Sequence, residues 1–521
     1  MKRLLYYLMI VSVAVFIASC TKDNIVLIDP IETDDGEDLV ANTTFAQTVS
    51  VAFSTEGNAT VSGTTDDFAV TVSGNDVTIV YTGEENVMYE LSGTANDGFF
   101  KLYSAKKQGI TLNGVSITNP NGAAINVQGP QAEPSKGKRT FIVLKGENSL
   151  ADGTSYTDTP NEEDEKAAMF GEGQFIFSGT GSLTVTATGK SGIVSDDYVH
   201  FLGGNITVNL TSSATVSGSD TLKPACIKGK DYVKMTDGTL SLTSTGTGGK
   251  GISSDGNGYF YGGTVNVSVT GSNFGSSGGG GGFPGGGNSS SNGGSAKGLK
   301  FDGNLIFKGS NVVVNCTAHE GIEAKGTLSV SAGEVYSHSL SDDAINSGGN
   351  LTISGGQVCA FSQGNDGLDA NGNCYIKGGV VYAIGSSSPE VAVDANSEGG
   401  YQLYLTGGTL VAIGGLESGS SLTQSCYSAS SWSQNTWYGL TIGSTTYAFK
   451  TPSSGGTPLV VSGSSDPTLQ SGVSVSNGTA CFENMFYTDA SFSGGSSVSL
   501  SSYTGGNGGG GGPGGGGHGP F

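Results

Sequence analysis

The sequence is poor in charge, with charged residues at 13% of its 521 positions, and poorer still in positive charge, with 23 Lys and Arg against 45 Asp and Glu. Beyond the first few residues it holds one arginine, Arg139. A formal net charge of −22 with so few cations excludes a nucleic-acid partner, because nothing can neutralise a row of phosphates. Past the first twenty residues no apolar run is long enough to cross a membrane. Helical periodicity is also missing from the repeated body of the chain. The glycine run inside 272–295 is not a phosphate loop, since no lysine follows it and no helix begins there. Six cysteines downstream of Cys20, namely Cys226, Cys316, Cys359, Cys374, Cys426 and Cys481, show neither metal-ligand spacing nor a redox pair. Several fall where neighbouring repeats carry Ser or an aliphatic residue, which favours packing; a bridge between Cys426 and Cys481 stays open.

What is abundant is glycine, at 89 residues, within a chain that is 36% hydrophobic and rich in Val, Ile and Thr alternation. That is too apolar for a disordered chain. The first twenty residues, "MKRLLYYLMIVSVAVFIASC", have a basic start, a short apolar run and a small residue before Cys20, and so read as a cleaved export signal. The "IASC" ending resembles the lipobox of bacterial lipoproteins, which predicts a lipidated Cys20 and a mature charge of −22 − 2 = −24. Thr21, rather than Asp, after the cysteine favours outer-membrane sorting and a cell-surface position, with 21–39 as a flexible tether. The lipid is then the chain's one link to a membrane.

The body is a repeat. Aligned on one aliphatic position, its rungs are Met169, Ile193, Ile227, Ile252, Leu299, Ile322, Ile345, Leu368 and Val393, with Ile125 as an earlier candidate. The steps are 24, 34, 25, 47, 23, 23, 23 and 25 residues. A 24-residue Gly/Ser insertion at 272–295 accounts for the step of 47, and "SSATVSGSDTLK" for that of 34. Each repeat carries short alternating runs broken by glycine corners, as in "NLTISGGQVCAFS" and "CYIKGGVVYAIGS". A fixed period over many units predicts coils of a solenoid rather than hairpins. The fold class expected is all-β: a right-handed parallel β-helix with coils of about 23 residues, stacked about 4.8 Å apart. The expected divisions are an N-terminal β cap and first coils at 40–108, the β-helix at 109–415, a small C-terminal all-β region at 416–504 and a disordered Gly-rich tail at 505–521.

The inward stack expected after each glycine corner runs Leu183 and Val185, Ile206 and Val208, Leu240 and Leu242, Val265 and Val267, then Val335, Val358, Val381 and Leu410. The outward partners are polar in early coils, such as Thr184 and Asn209, and turn apolar later. Two readings of this stripe follow. Either the chain after residue 416 folds back over it, which is favoured, or Tyr336, Phe361 and Tyr382 form a platform on which sugar rings stack.

Acidic residues also recur in register. Glu320, Asp343 and Asp366 occupy the position two before the ladder aliphatic; Glu323, Asn346, Asp369 and Asp394 the position after it. Carboxylates about 4.8 Å apart repel by about 0.9 kcal/mol in bulk water and severalfold more at a less polar surface. A calcium ion, which takes six to eight hard oxygen ligands, would relieve this. Turn chemistry alone also places Asp and Asn at such corners, and Lys325 offers a partial countercharge. A lysine edge, Lys228, Lys230, Lys250, Lys297 and Lys300, either balances charge or meets the carboxylates of an acidic glycan. The loop "TDTPNEEDEK", with Asp158, Glu162, Glu163, Asp164 and Glu165, reads as solvated, with a weak metal site as the alternative.

The segments "DEKAAMF" and "GIVSDD", followed by the "KGISSDG" and "DGLDANG" coils, resemble the bacterial extracellular carbohydrate-binding domain family related to polysaccharide lyases, over roughly residues 75–415. The resemblance implies a pectate-lyase-like right-handed β-helix, calcium binding and association with plant-type polysaccharide. It identifies no sugar-contacting residue. Three functions are therefore weighed: a polysaccharide binder, ranked first; a surface adhesin or structural rod; and a calcium-dependent polysaccharide lyase, ranked last because the coils offer no arginine and no distinctive lysine beside paired carboxylates as base.

Overall fold

The computed structural model describes residues 36–157, 163–217, 220–275 and 294–505. The expected signal, Cys20, most of the tether, Asp158, Glu162, the centre of the Gly/Ser insertion and nearly all of the tail lie outside the described residues. Two compact units divide the chain at Thr43/Thr44. The described part of the first holds two short 3₁₀ turns, Gly36–Asp38 and Val40–Asn42. The second is all-β, without an α-helix among the described residues.

Two large sheets, of 24 and 12 strands, carry the second unit, and most of their pairings are parallel. The smaller sheet reproduces the sequence ladder rung by rung. Met169 pairs with Ile193, Ile193 with Ile227, Ile227 with Ile252, Ile252 with Leu299, and so on through Ile322, Ile345 and Leu368. Ile125 lies directly before Met169, and bridges carry the line past Val393 to Leu416. The 24-residue insertion leaves the ladder closed: Phe274 and Gly294 pair with each other at its mouth. The polar excursion behind the 34-residue step is a hairpin, Thr215–Ser217 against Asp220–Leu222. Parallel stacking is already present at Gln47–Phe53, which pairs with Val87–Ala95.

Alternation explains the core. Leu183, Val185, Val208, Val265, Val335, Val358, Val381 and Leu410 are all fully buried. Each such side chain contributes about 1.5–3 kcal/mol of burial. The long strands Leu305–Cys316 and Leu328–Ser339 bend where the glycine corners fall, with register shifts between Phe307 and Asn311. Gly333 sits at this bend with φ +87°, and a Cβ there would lie 2.3 Å from the Ser310 carbonyl oxygen. Only glycine fits such a place.

The C-terminal region is not a simple cap. Leu459–Ser462 runs antiparallel to both Thr409–Ile413 and Cys426–Ala429. Trp437–Ile442, Thr445–Lys450, Pro467–Cys481 and Phe486–Val498 close a four-stranded barrel. This region covers the apolar stripe. Tyr336, Cys359, Phe361, Tyr382, Ile384, Val411 and Ile413 form a second core with Tyr438, Phe449, Phe482 and Phe486. The Tyr382 hydroxyl donates to the Lys450 carbonyl at 2.8 Å, and the Phe482 amide to Glu334 at 2.8 Å. The sugar-platform expectation is thereby corrected: Tyr336, Phe361 and Tyr382 are 3%, 7% and 0% exposed, with Tyr382 packed against Phe449 and Phe486 of the barrel and Phe361 stacked on His338. The six described cysteines are all free and buried, so Cys426 and Cys481 do not bridge; the first packs in the main core and the second in the barrel core.

Candidate functional site

Strand register builds the site. On the outer face of the smaller sheet, Lys228, Ser253, Lys300, Glu323, Asn346 and Asp369 are successive partners in one line. The bridges at Val393 and Leu416 extend this line of sequence neighbours to Asp394 and Glu417. Beside it, amide-to-carbonyl bonds of 3.1–3.4 Å stack the backbone at Lys297, Glu320, Asp343 and Asp366. Read along the chain, both columns change from lysine to acid on a single face.

At the change of sign the charges pair. Lys297 lies 3.0 Å from Glu320 and 2.7 Å from Glu323. Burial pulls the Lys297 ammonium down, but these two carboxylates outweigh it and the lysine is held above its usual range. His319 contacts Glu320 and lies 2.8 Å from Asp342. Burial disfavours its charged form, yet the bonds to Asp342 and Glu320 raise it to about 9. His319, Glu320 and Asp342 could by proximity hold a metal, but a protonated imidazole already fills the middle of that group. Glu320 and Glu323 thus have resident cations. Lys325 does not supply one, being bound to Asp302 at 2.8 Å.

One coil further on, no cation is paired with the row among the described residues. Asn346 donates its amide to Asp343 at 3.1 Å and to Asp369 at 2.7 Å. Asp366 accepts only backbone, from Val391 at 2.6 Å, while its own amide donates to Asp343 at 3.1 Å. Asp369 is in hydrogen-bond contact with both Asp343 and Asp394, and Asp394 with Glu417. Burial pushes Asp343, Asp366, Asp369 and Asp394 above the ordinary carboxylate range, Asp366 to about 8; acidic neighbours add to the effect at Asp343, Asp366 and Asp394, while at Asp369 the bonds with Asp394 and Asp343 oppose it. Burial also pushes Glu417 up, but bonds from Asp394, Ser418 and Ser397 outweigh it and leave it low. These five carboxyls, four of them linked from Asp343 through Asp369 and Asp394 to Glu417 and all half-buried or deeper, must hold protons or share a cation, since each unpaired buried ion costs several kcal/mol. Their hard oxygens are the donor set that calcium takes.

Sequence reasoning missed Glu417, although "LE" at 416–417 follows "VD" at 393–394 by 23 residues and repeats its pattern. It also missed His319 and Asp342, which stand 23 residues apart at the position three before the ladder aliphatic, a third column with regular spacing whose residue types, His319, Asp342 and Asn365, differ from rung to rung. The acidic loop is corrected in part. Glu163 and Glu165 are not solvated: Lys101 reaches them at 2.7 and 3.7 Å, and Asn126 donates to Glu165 at 2.7 Å. Asp164 pairs with Lys166 at 2.9 Å. An aromatic pair that reaches the surface is Tyr375 and Tyr404, register partners whose rings stack at 5.0 Å with the Lys377 ammonium 4.7 Å from the Tyr375 ring. A cavity of about 470 Å³ lies at the glycine corner, lined by Asn311, Glu334, Gln357 and Val380, and does not include the acidic row.

Stacked parallel strands carrying acid and lysine columns on one face define a surface-presenting β scaffold. The chain belongs to the family described as carbohydrate-binding domain-containing protein, whose sequence profile matches residues 73–390. A carbohydrate-binding domain-containing protein of Acetivibrio thermocellus is 31% identical over 145 residues, 27% of this chain; the chain spans under half, 46%, of that relative's length. The solved structure of a polysaccharide lyase-like protein from C. thermocellum, a gadolinium derivative, aligns with a TM-score of 0.35 at 19% identity, covering 62% of this chain and 95% of that one. A score so low does not by itself define the fold.

Proposed function

We propose that this protein is a surface lipoprotein that binds polysaccharide, an acidic or plant-type glycan, with calcium held on the row Asp343, Asp366, Asp369 and Asp394, completed by Glu417. In this reading the strands wind as a right-handed parallel β-helix of about 23-residue coils, and Cys20 anchors the mature chain to the outer membrane. The observation that carries the reading is the run of buried carboxyls that lacks a paired cation just beyond the point where Lys297 neutralises Glu320 and Glu323. A bound Ca²⁺ neutralises these groups and offers its remaining coordination positions to hydroxyl or carboxylate oxygens of a glycan. Family membership supports the carbohydrate half of the proposal.

Binding is favoured over eliminative cleavage for a physical reason. A lyase base must be able to accept a proton, and of the lysines next to the acidic row Lys297 is held charged by Glu320 and Glu323 while Lys300 is bound to Asp302. The test is a titration of the chain from Thr21 onward with polygalacturonate, with and without Ca²⁺, reading binding together with absorbance near 235 nm. Calcium-dependent binding at flat absorbance is expected. Rising absorbance would mean new unsaturated ends and a lyase; no binding to this or to neutral polysaccharides would leave a structural rod.

A further inference from the structure

The lysine end of the same face presents the mirror-image problem. Lys250 is 6% exposed, and its ammonium donates to the Gly248 carbonyl at 3.3 Å. Among the described residues no carboxylate pairs with it. The charges that act on it most strongly are Lys300, Lys297, Lys223 and Lys228, all of its own sign. Three of these four have their own acids: Lys228 lies 3.1 Å from Asp255, Lys297 is held by Glu320 and Glu323, and Lys300 by Asp302. Nothing of that kind reaches inward to Lys250. Its register partner in the preceding coil is Ala225, which offers no countercharge. In the following coil the Gly251 amide donates to the Lys297 carbonyl at 3.1 Å, which stacks the two lysines. Burial, and then the four like charges, pull the Lys250 ammonium down to about 7.

A cation driven into a crowd of cations is costly unless an anion joins it. The carboxylate row has that relation to a metal; the lysines have it to an oxyanion. We propose that Lys250 is the floor of an oxyanion site rimmed by Lys223, Lys228 and Lys300, which takes the carboxylate or sulfate group of an acidic glycan. The identity of the ligand as a glycan rests on the function proposed above; the presence of an anion site does not. The site shares its register line with the acidic row, through Lys300, Glu323, Asn346 and Asp369. A single acidic chain laid along this face would therefore place one anionic group among the lysines and others on the calcium-bearing carboxylates.

Two probes separate the site from its ligand. Melting temperature is measured for the mature chain and for Lys250→Met against sodium sulfate, with chloride at matched ionic strength as control, and oligogalacturonate affinity is measured for both in calcium. The wild type should be stabilised by sulfate beyond the chloride control and saturably, while Lys250→Met melts no lower than wild type without ligand, ignores sulfate and binds oligogalacturonate at least tenfold more weakly. Glycan binding by the wild type with less than a twofold change in Lys250→Met, and no sulfate effect, would overturn the site and leave the function standing. Lys250-dependent stabilisation by sulfate without any glycan binding would keep the site and remove the glycan. Should Lys250→Met fail to fold, exposed Lys223→Ala reads the rim instead: about threefold weaker sulfate and glycan binding is expected, and unchanged values of both would overturn the proposal.

Discussion

At the scale of single residues, carboxylates in one column have opposite roles according to what the adjoining coil supplies. Glu320 is a settled anion because Lys297 and His319 reach it; Asp343, one rung later, meets Asn346 and other acids. Removing one charge from the row should then stabilise the calcium-free protein. Asp369→Asn keeps the shape and deletes the central carboxylate, so thermal unfolding in chelator should show a gain of about 1–2 kcal/mol, with calcium affinity down about tenfold by calorimetry. An unchanged calcium isotherm would exclude Asp369 as a ligand. The same row fixes a pH dependence. The Asp366 carboxyl titrates near 8 in the folded chain and near 4 when unfolded, so the folded state binds more protons between those values. Its contribution is full below about pH 4 and is lost as pH rises through 8. In chelator the melting temperature should fall between pH 5 and 8.5, and saturating calcium should flatten that fall, because the metal takes the place of the protons. A slope indifferent to calcium would sink the metal assignment.

At the scale of elements, the glycine corners decide where each coil turns. Gly333→Ala adds a methyl group against the Ser310 carbonyl and forces an L residue to φ +87°, so it should cost about 2 kcal/mol or more by denaturant unfolding. The ladder itself was legible in the sequence because stacking ties residue i to residue i+23, and a repeated spacing survives variation of the side chains. Insertions did not hide it, since Phe274 and Gly294 close the longest one at its base. Charge pairing was less legible for a reason of the same geometry. Lys297 reads as part of a separate basic edge until its coil is set directly beside that of Glu320, and then it becomes the countercharge that Lys325 was expected to supply. His319 and Asp342 meet across one coil boundary at the same 23-residue spacing, but a histidine beside an aspartate repeats no residue type and so stands out less than a column of acids. The barrel was opaque because its strands pair antiparallel, over variable spacings, and repeat nothing.

At the scale of the whole molecule, the stripe from Tyr336 to Ile413 and the barrel over it share one buried apolar cluster. The sequence shows a solenoid face changing from threonine to aromatic and leaves two causes open, a ligand or a cover; packing against Phe449, Phe482 and Phe486 assigns the cover. A consequence follows for dissection. A chain ending at Gly415 keeps every coil of the ladder up to Val393 but uncovers Tyr336, Cys359, Phe361, Tyr382 and Ile384 as one contiguous apolar patch of the kind that drives association. It also removes Leu416 and Glu417, the last rung of the acidic line. Truncation should therefore give a protein that binds a hydrophobic dye and self-associates in light scattering, and that loses calcium affinity. Glu417→Gln in the full chain should weaken calcium without dye binding, whereas Tyr382→Ala, which removes a fully buried ring packed against Phe449 and Phe486 and costs about 3–5 kcal/mol, should lower the melting temperature while leaving calcium affinity of the folded fraction unchanged. If the truncated chain stayed monomeric and dye-silent, the barrel would be an appendage on the solenoid rather than part of its fold.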